Sequence, residues 1–256
     1  MRKIIAIACL TFKESVRSKV LYSTLFFAFF VVVASALFGS VTIGEKVKVV
    51  KDFGLFTISF FSAMYAVIAG SLLLAKELSL KTIHNILSKP LSRAAFLCGK
   101  FLGLGTTVSV LILLLTLVLF LFCYFLEGSF DWMLFYAAFF IFLQSIIVCA
   151  CTIFFSSIVI TPFLSGFFSF AFFLAGRSSQ YFLQFLKGYE ETLLNIPLKI
   201  VYEILPHLNL LDVSERVVYN LAYDSDLLLF GILYSVGYCG AALILSTLFF
   251  SKRDFQ

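Results

Sequence analysis

Six long runs of apolar residues limit what this chain can fold into. They cover residues 20–43, 53–75, 101–126, 132–155, 158–175 and 227–250, and none contains Asp, Glu, Lys, Arg or His. A helix of about 20 apolar residues is long enough to cross the hydrocarbon core of a bilayer. Only 13% of the 256 residues are charged, whereas a soluble domain has about 25%. The sequence therefore predicts an all-α polytopic membrane protein whose six transmembrane helices form a single domain over residues 1–256.

The charges between the runs predict the orientation of the chain. If both termini lie on one side, that side carries 12 of the 19 Lys and Arg residues but only three of the 14 Asp and Glu residues. The positive-inside rule assigns that side to the cytosol. We therefore expect an integral protein of a bacterial or archaeal cytoplasmic membrane, the inner membrane in bacteria, with both termini cytosolic. The basic residues form no continuous patch, so the net charge of +5 does not indicate a nucleic-acid partner.

The first 19 residues are basic and mildly amphipathic. Lys13, Glu14, Arg17 and Lys19 are interspersed with apolar side chains. This pattern favours an elbow helix lying on the anionic cytosolic leaflet before the first span. The alternative is a charged flank that only fixes orientation. A signal peptide is disfavoured because the apolar run that follows is much longer than a signal's hydrophobic region.

A charged stretch over residues 76–100 separates the second and third runs. Leu80, Ile83 and Leu87 recur at helical spacing and form one apolar stripe. Pro90 ends this helix, and Ser92 is placed to cap the next one. The pattern predicts a short amphipathic helix at the cytosolic mouth of the bundle, which suits docking of a soluble partner.

The longest polar region, residues 176–226, lies on the outer side in this topology. Its apolar residues keep helical spacing, which predicts two short amphipathic helices at the membrane boundary, over residues 195–205 and 212–222. Whether they contact an external partner is left open by the sequence.

The apolar runs also restrict the chemistry. A charge at the centre of a membrane helix costs about 3 kcal/mol on insertion scales, so proton relays and ion-coupled carriers keep such groups for function. Their absence makes a self-powered carrier unexpected. Gln144 is the most polar side chain within a run, and such a residue is more often a helix–helix hydrogen-bond partner than a substrate ligand. Gly99-Lys100 is followed by Phe101 rather than by Ser or Thr, so no P-loop is present in this stretch. Cys149 and Cys151 point in different directions on a helix, so we expect no metal site there. We also expect no disulfide framework and no catalytic activity in this chain.

Several short motifs resemble the ABC type-2 permeases, the membrane subunits of ATP-binding cassette exporters. They are Thr11-Phe12-Lys13-Glu14, Glu77 with Lys81-Thr82-Ile83, Leu87 to Arg93, Gly99-Lys100, Leu205-Pro206 and the terminal Phe249 to Phe255. The resemblance covers nearly the whole chain. It is strongest to the subgroup linked to maturation of multi-copper enzymes. In the family Gly often precedes the Thr-Ile pair, where this chain has Lys81.

The resemblance implies a transport subunit that works as a homo- or heterodimer and is driven by a separate ATP-binding subunit, which would hold ATP and Mg. This chain would need no cofactor of its own. The docking helix would be the coupling helix, with partner contacts at Glu77, Lys81, Thr82, Ile83, His84, Ile86, Leu87, Lys89 and Arg93. The translocation path would run along spans two and five, with Phe60, Phe61, Phe163 and Phe167 as candidate lining residues.

Two other functions remain open from the sequence. A membrane scaffold or assembly factor would share the bundle and the docking helix without moving a substrate. A membrane enzyme acting on lipid would need a polar cluster at one interface, which Glu190, Glu191, Glu203, His207 and Asp212 could supply.

Overall fold

The computed structural model describes residues 2–41, 45–79, 92–128, 130–159, 161–181, 195–219, 221 and 225–251. These residues form nine α-helices and a short 3₁₀ helix at Leu208–Leu211. The α-helices are α1 Arg2–Val16, α2 Lys19–Val41, α3 Lys46–Ser79, α4 Arg93–Glu127, α5 Met133–Ile158, α6 Pro162–Arg177, α7 Asn195–Ile204, α8 Ser214–Val218 and α9 Ser225–Ser251. The all-α prediction is confirmed for the described residues.

Four of these helices, α3, α4, α5 and α9, are long and apolar enough to cross a membrane. A fifth candidate is the pair α1 and α2, which are bent by 60° at the break between Val16 and Lys19. Helix α6 is apolar but has only 16 residues. The described helices thus supply four or five candidate spans by length and composition, against six in the prediction.

Helix α3 begins seven residues before the predicted span. The interval between the first two apolar runs, residues 44–52, is helical from Lys46 onward. Lys51 is buried there, and its Nζ lies 2.8 Å from Asp131 Oδ2 and 3.4 Å from Glu127 Oε2. Two carboxylates from the α4–α5 connection therefore compensate the buried charge and let the helix extend.

The break between α5 and α6 also differs from the prediction. Ser156 and Ser157, which separate the fourth and fifth apolar runs, lie inside α5, where Ser157 Oγ donates to the carbonyl of Phe154 at 2.7 Å. The break comes after Ile158, and Pro162 occupies the first position of α6. Proline is tolerated there because its missing N–H would have no helical partner. Pro162 therefore starts a helix and does not kink one.

Helix α5 is the centre of the bundle. It packs against α3, α4, α6 and α9, and Phe140 and Ile147 on it are fully buried. Helices α4 and α9 are more peripheral, and α2 exposes Phe26, Phe27 and Phe30. A central apolar helix with apolar outer faces around it is the arrangement expected of a bundle solvated by lipid.

A cap of short elements, α7, the 3₁₀ helix and α8, covers the end of the bundle near the C-terminus of α6. Helix α7 coincides with the first predicted amphipathic helix, while α8 is shorter than the second. Two tyrosines of α9 hold the cap: Tyr234 Oη accepts from the His207 N–H at 2.8 Å, and Tyr238 Oη donates to the Ile204 carbonyl at 2.9 Å. We call this end of the bundle the cap end, and the end at the α1–α2 break the elbow end.

Candidate functional site

A groove of about 340 Å³ lies between α3 and α6, the helices of the second and fifth predicted spans. Its lining is almost entirely apolar, with Val67 and Ile68 on α3 facing Phe167 and Phe170 on α6. The prediction placed the translocation path along these two helices. The groove lies along the two helices named in that prediction.

The four predicted path residues divide into two pairs. Phe163 and Phe167 line the groove, and Phe163 is 83% exposed at its rim. Phe60 and Phe61 do not line it. They lie one turn closer to the N-terminus of α3, where they are partly buried against the core, with ring centroids 5.7 Å apart. The structure therefore places two of the candidates at the groove and two beyond it.

Small residues set the distance between α6 and its neighbours. A Cβ on Gly166 would lie 3.4 Å from Ser71 Oγ, which is ordinary van der Waals contact. On the other side of α6, Ser165 and Ser156 share a hydrogen bond of 2.6 Å between their hydroxyls. Small and hydroxyl side chains are the usual means by which membrane helices approach closely. These contacts hold α6 beside α3 and α5 without filling the groove.

A polar network fixes the cap end of α6. Arg177 Nη1 donates to Ser59 Oγ at 2.8 Å, and Arg177 Nη2 donates to Asp212 Oδ2 at 3.0 Å. Ser59 Oγ in turn donates to Gln144 Oε1, and Gln144 Nε2 donates to the Leu208 carbonyl, both at 3.2 Å. The network joins α3, α5, α6 and the cap. Gln144 is a helix–helix hydrogen-bond partner, as the sequence predicted, whereas the role of Arg177 was missed.

At the elbow end, α1 packs on the first turns of α4 through two glycines four residues apart. A Cβ on Gly99 would lie 2.7 Å from Ile7 Cβ, and one on Gly103 would lie 2.5 Å from Thr11 Cβ. Both distances are shorter than carbon atoms tolerate, so only glycine allows this approach. The signal was present in the sequence as Gly99-Lys100-Phe101-Leu102-Gly103, a GxxxG pattern.

The predicted elbow residues lie at the bend between α1 and α2. Glu14 forms an ion pair with Lys76, near the end of α3, which ties the elbow to the groove-lining helix. Lys13 and Arg17 are exposed and line a cavity beside that pair. Lys19 is exposed at the first position of α2.

Most of the predicted partner-docking residues fall outside the described structure. These are Lys81, Thr82, Ile83, His84, Ile86, Leu87 and Lys89, together with the side chain of Glu77. Ser92 caps α4 as predicted, its Oγ accepting from the Ala95 N–H at 3.2 Å. Arg93 Nη1 donates to the carbonyls of Phe250 and Ser251 at 2.8 Å each, so this arginine binds the C-terminus of α9.

The residues proposed for reaction chemistry can be placed only in part. Within the residues that the structure describes, no group of three or more His, Cys, Asp or Glu side chains could hold a metal ion. His207 lies against the Tyr202 ring, with centroids 4.3 Å apart, while Asp212 binds Arg177. Of the other acidic residues proposed for a lipid-modifying enzyme, Glu203 is exposed on α7, and Glu190 and Glu191 lie outside the described ranges.

Comparison with known families matches the chain over nearly its full length. The family model described as ABC-2 family transporter protein covers residues 5–255. No curated protein matches the chain significantly. The match confirms the resemblance to ABC type-2 permeases found in the motifs, and the apolar helices agree with a membrane subunit. The chain belongs to the ABC-2 transporter family, whose members are membrane permease subunits partnered by an ABC ATP-binding subunit.

Proposed function

We propose that this chain is the permease of an ABC exporter, in which ATP hydrolysis on the separate subunit moves a substrate along the α3–α6 groove. The observation that carries the proposal is the continuity of α3. This single helix of 34 residues runs for about 50 Å at 1.5 Å per residue. It lines the groove in its second half and ends at Ser79, directly before the segment whose sequence predicts docking.

The connections around that segment support mechanical coupling. Lys76 before it pairs with Glu14 of α1, and Arg93 after it binds the C-terminus of α9. Helix α1 is packed on α4 through Gly99 and Gly103. A push on residues 80–91 would therefore displace α1, α3, α4 and α9 together and change the width of the groove. ATP and Mg would be bound by the partner, and this chain would have no catalytic role.

We further propose six spans, with α1 as an elbow on the membrane surface. If α1 lies at the interface, α2 is the first span and α6 the fifth, which returns both termini to the cytosolic side of the cytoplasmic membrane. Helix α6 covers about 24 Å at 1.5 Å per residue, somewhat less than the roughly 30 Å hydrocarbon core. Arg177 at its end, held by Asp212, marks the boundary on the cap side.

The shape of the groove supports a dimer. The groove is bounded by α3 and α6, and the Phe163 ring is exposed at its rim. A second permease copy would close it into a path between two subunits. The exposed phenylalanines of α2 offer an apolar surface for that copy or for lipid. Assignment to the multi-copper enzyme subgroup stays a prediction of the sequence.

The coupling assignment is tested by placing two negative charges on the apolar stripe of the docking segment. In Ile83→Asp/Leu87→Asp, binding of the ATP-binding subunit and its stimulated ATPase activity should fall at least tenfold. The reason is that a charged stripe cannot enter an apolar docking surface on the ATP-binding subunit. The matched control, Asn85→Asp/Ser88→Asp, adds the same charge on other faces of the segment and should keep most of both activities.

Co-purification and ATPase rates of the reconstituted complex measure both effects. If the stripe variant recruits and stimulates its partner as wild type does, the docking surface has been assigned to the wrong residues. An ATPase that binds this chain but hydrolyses at the same rate without it would favour the scaffold alternative.

A further inference from the structure

A cavity of about 890 Å³ at the elbow end has a cationic rim. It lies between the α1–α2 break and the last turns of α3, and Lys13, Arg17 and Lys76 line it together with Glu14. Glu14 is engaged by Lys76. Three cations against one carboxylate leave an excess of two positive charges, which favours an anionic ligand.

The rest of the cavity is apolar and leads into the groove. Leu10, 64% exposed, forms part of one wall, and Leu72 forms part of another. Leu72 and Pro162 also line the α3–α6 groove, so the two spaces adjoin. A molecule that fits both would have an anionic head and an apolar tail.

We propose that the cavity binds an anionic phospholipid, with the phosphate held by Lys13 and Arg17 and one acyl chain in the α3–α6 groove. A phospholipid fits better than free phosphate because the apolar groove adjoins the cationic rim. The bend between α1 and α2 would also place the rim at the level of the headgroups. The inference requires only that the chain lies in a bilayer, and it is independent of transport direction and of the ATPase.

The test measures lipid retention by native mass spectrometry after reconstitution in vesicles of equal phosphatidylglycerol and phosphatidylcholine. Wild type should retain phosphatidylglycerol with at least a tenfold preference over phosphatidylcholine. In Lys13→Gln/Arg17→Gln the preference should fall to threefold or less, since each basic residue near a membrane surface contributes about fivefold.

The matched control is Arg2→Gln/Lys19→Gln, which removes two exposed charges from the same N-terminal region without altering the cavity lining. It should keep most of the preference. Equal losses in the two double variants would show general attraction to an anionic surface and would overturn the site.

Two further measurements separate a lipid from a free anion. Phosphatidylglycerol with six-carbon chains should be retained at least fivefold less than the long-chain lipid by wild type, and Gly166→Leu, which fills the groove, should narrow that gap. Displacement of the long-chain lipid by millimolar inorganic phosphate, or equal retention of both chain lengths, would contradict the proposal.

Discussion

Gly103 illustrates how one absent Cβ atom can set the distance between two helices. A Cβ there would lie 2.5 Å from Thr11 Cβ and 2.7 Å from the Ala8 carbonyl oxygen. Neither neighbour is the flexible end of a side chain, so α1 would have to move away from α4. Gly105, two residues further on, has nothing within 4 Å of its Cβ position.

We therefore expect opposite effects from the same substitution at the two glycines. Gly103→Ala should destabilise the protein by about 1–3 kcal/mol, as overpacking does. Gly105→Ala should be neutral or stabilising by roughly 0.5–1 kcal/mol, because alanine favours the helix more than glycine does. Thermal unfolding in detergent measures both. Equal effects of the two substitutions would show that α1 is not docked through Gly103.

His207 gives the cap a defined dependence on pH. Burial lowers the pKa of His207 below its ordinary value, and the nearby Glu203 only partly offsets that effect. The unfolded chain therefore binds more protons than the folded chain between the folded pKa and about 6.5, the ordinary value. The contribution of His207 to stability is complete above that ordinary value. It is lost as the pH falls toward the lower folded pKa.

The expected result is a midpoint of unfolding that falls more steeply between pH 6.5 and 5 in wild type than in His207→Gln. Unfolding curves of the two proteins in one detergent, at several pH values and constant ionic strength, provide the comparison. Parallel pH profiles would exclude His207 as the group that titrates.

Single residues were predicted from the sequence when a local pattern fixed their role. Ser92 as a helix cap and Gln144 as a hydrogen-bond partner follow from residue type and position alone. Lys51, Arg93 and Arg177 could not be placed in that way, because their partners lie far along the chain. A charge at the end of an apolar run has the same sequence signature whether it faces water or a buried carboxylate.

At the scale of elements, the ion pair between Glu14 and Lys76 joins the elbow to the groove-lining helix. Both side chains are substantially exposed, so the pair adds little to stability, roughly 0–1 kcal/mol. Its effect is expected in coupling, because it makes α1 and the end of α3 move together.

Charge reversal tests that role. Glu14→Lys should reduce ATPase stimulation by the permease several-fold with only a small change in unfolding temperature, and Glu14→Lys/Lys76→Glu should recover most of it. The matched control is Glu45→Lys, which breaks the exposed pair with Lys48 near the cap end. If the double reversal is as defective as the single one, the pair does not transmit the movement.

Helix cores were easier to predict than helix ends. The apolar runs locate α3, α4, α5 and α9 because periodicity and length persist over many residues. The position at which α3 starts depends on the ion pair of Lys51 with Asp131. The position of the break before Pro162 depends on serine hydroxyls that bond within α5. The groove itself is a property of two helices that are far apart in sequence, so the pattern could indicate the helices but not the space between them.

At the scale of the whole molecule, the central segments of the long described helices carry no charged side chain. Among the described residues, Lys51, Lys100 and Arg177 lie near the ends of α3, α4 and α6, and the long central segments carry only serine, threonine, tyrosine, cysteine and Gln144 as polar groups. Gln144 is already engaged at both its oxygen and its nitrogen. A proton relay requires titratable groups within the membrane, and Na⁺ sites use such groups or the carbonyls of broken helices.

The isolated chain should therefore support no transport driven by an ion gradient. In vesicles that contain only this protein, an imposed proton or Na⁺ gradient should decay at the rate of empty vesicles, as reported by entrapped pH- and Na⁺-sensitive dyes. Addition of a proton ionophore provides the positive control. Gradient decay that scales with the amount of protein and is abolished by Gln144→Leu would mean that the bundle contains its own coupling pathway, and the energy for transport would then not have to come from the ATP-binding subunit.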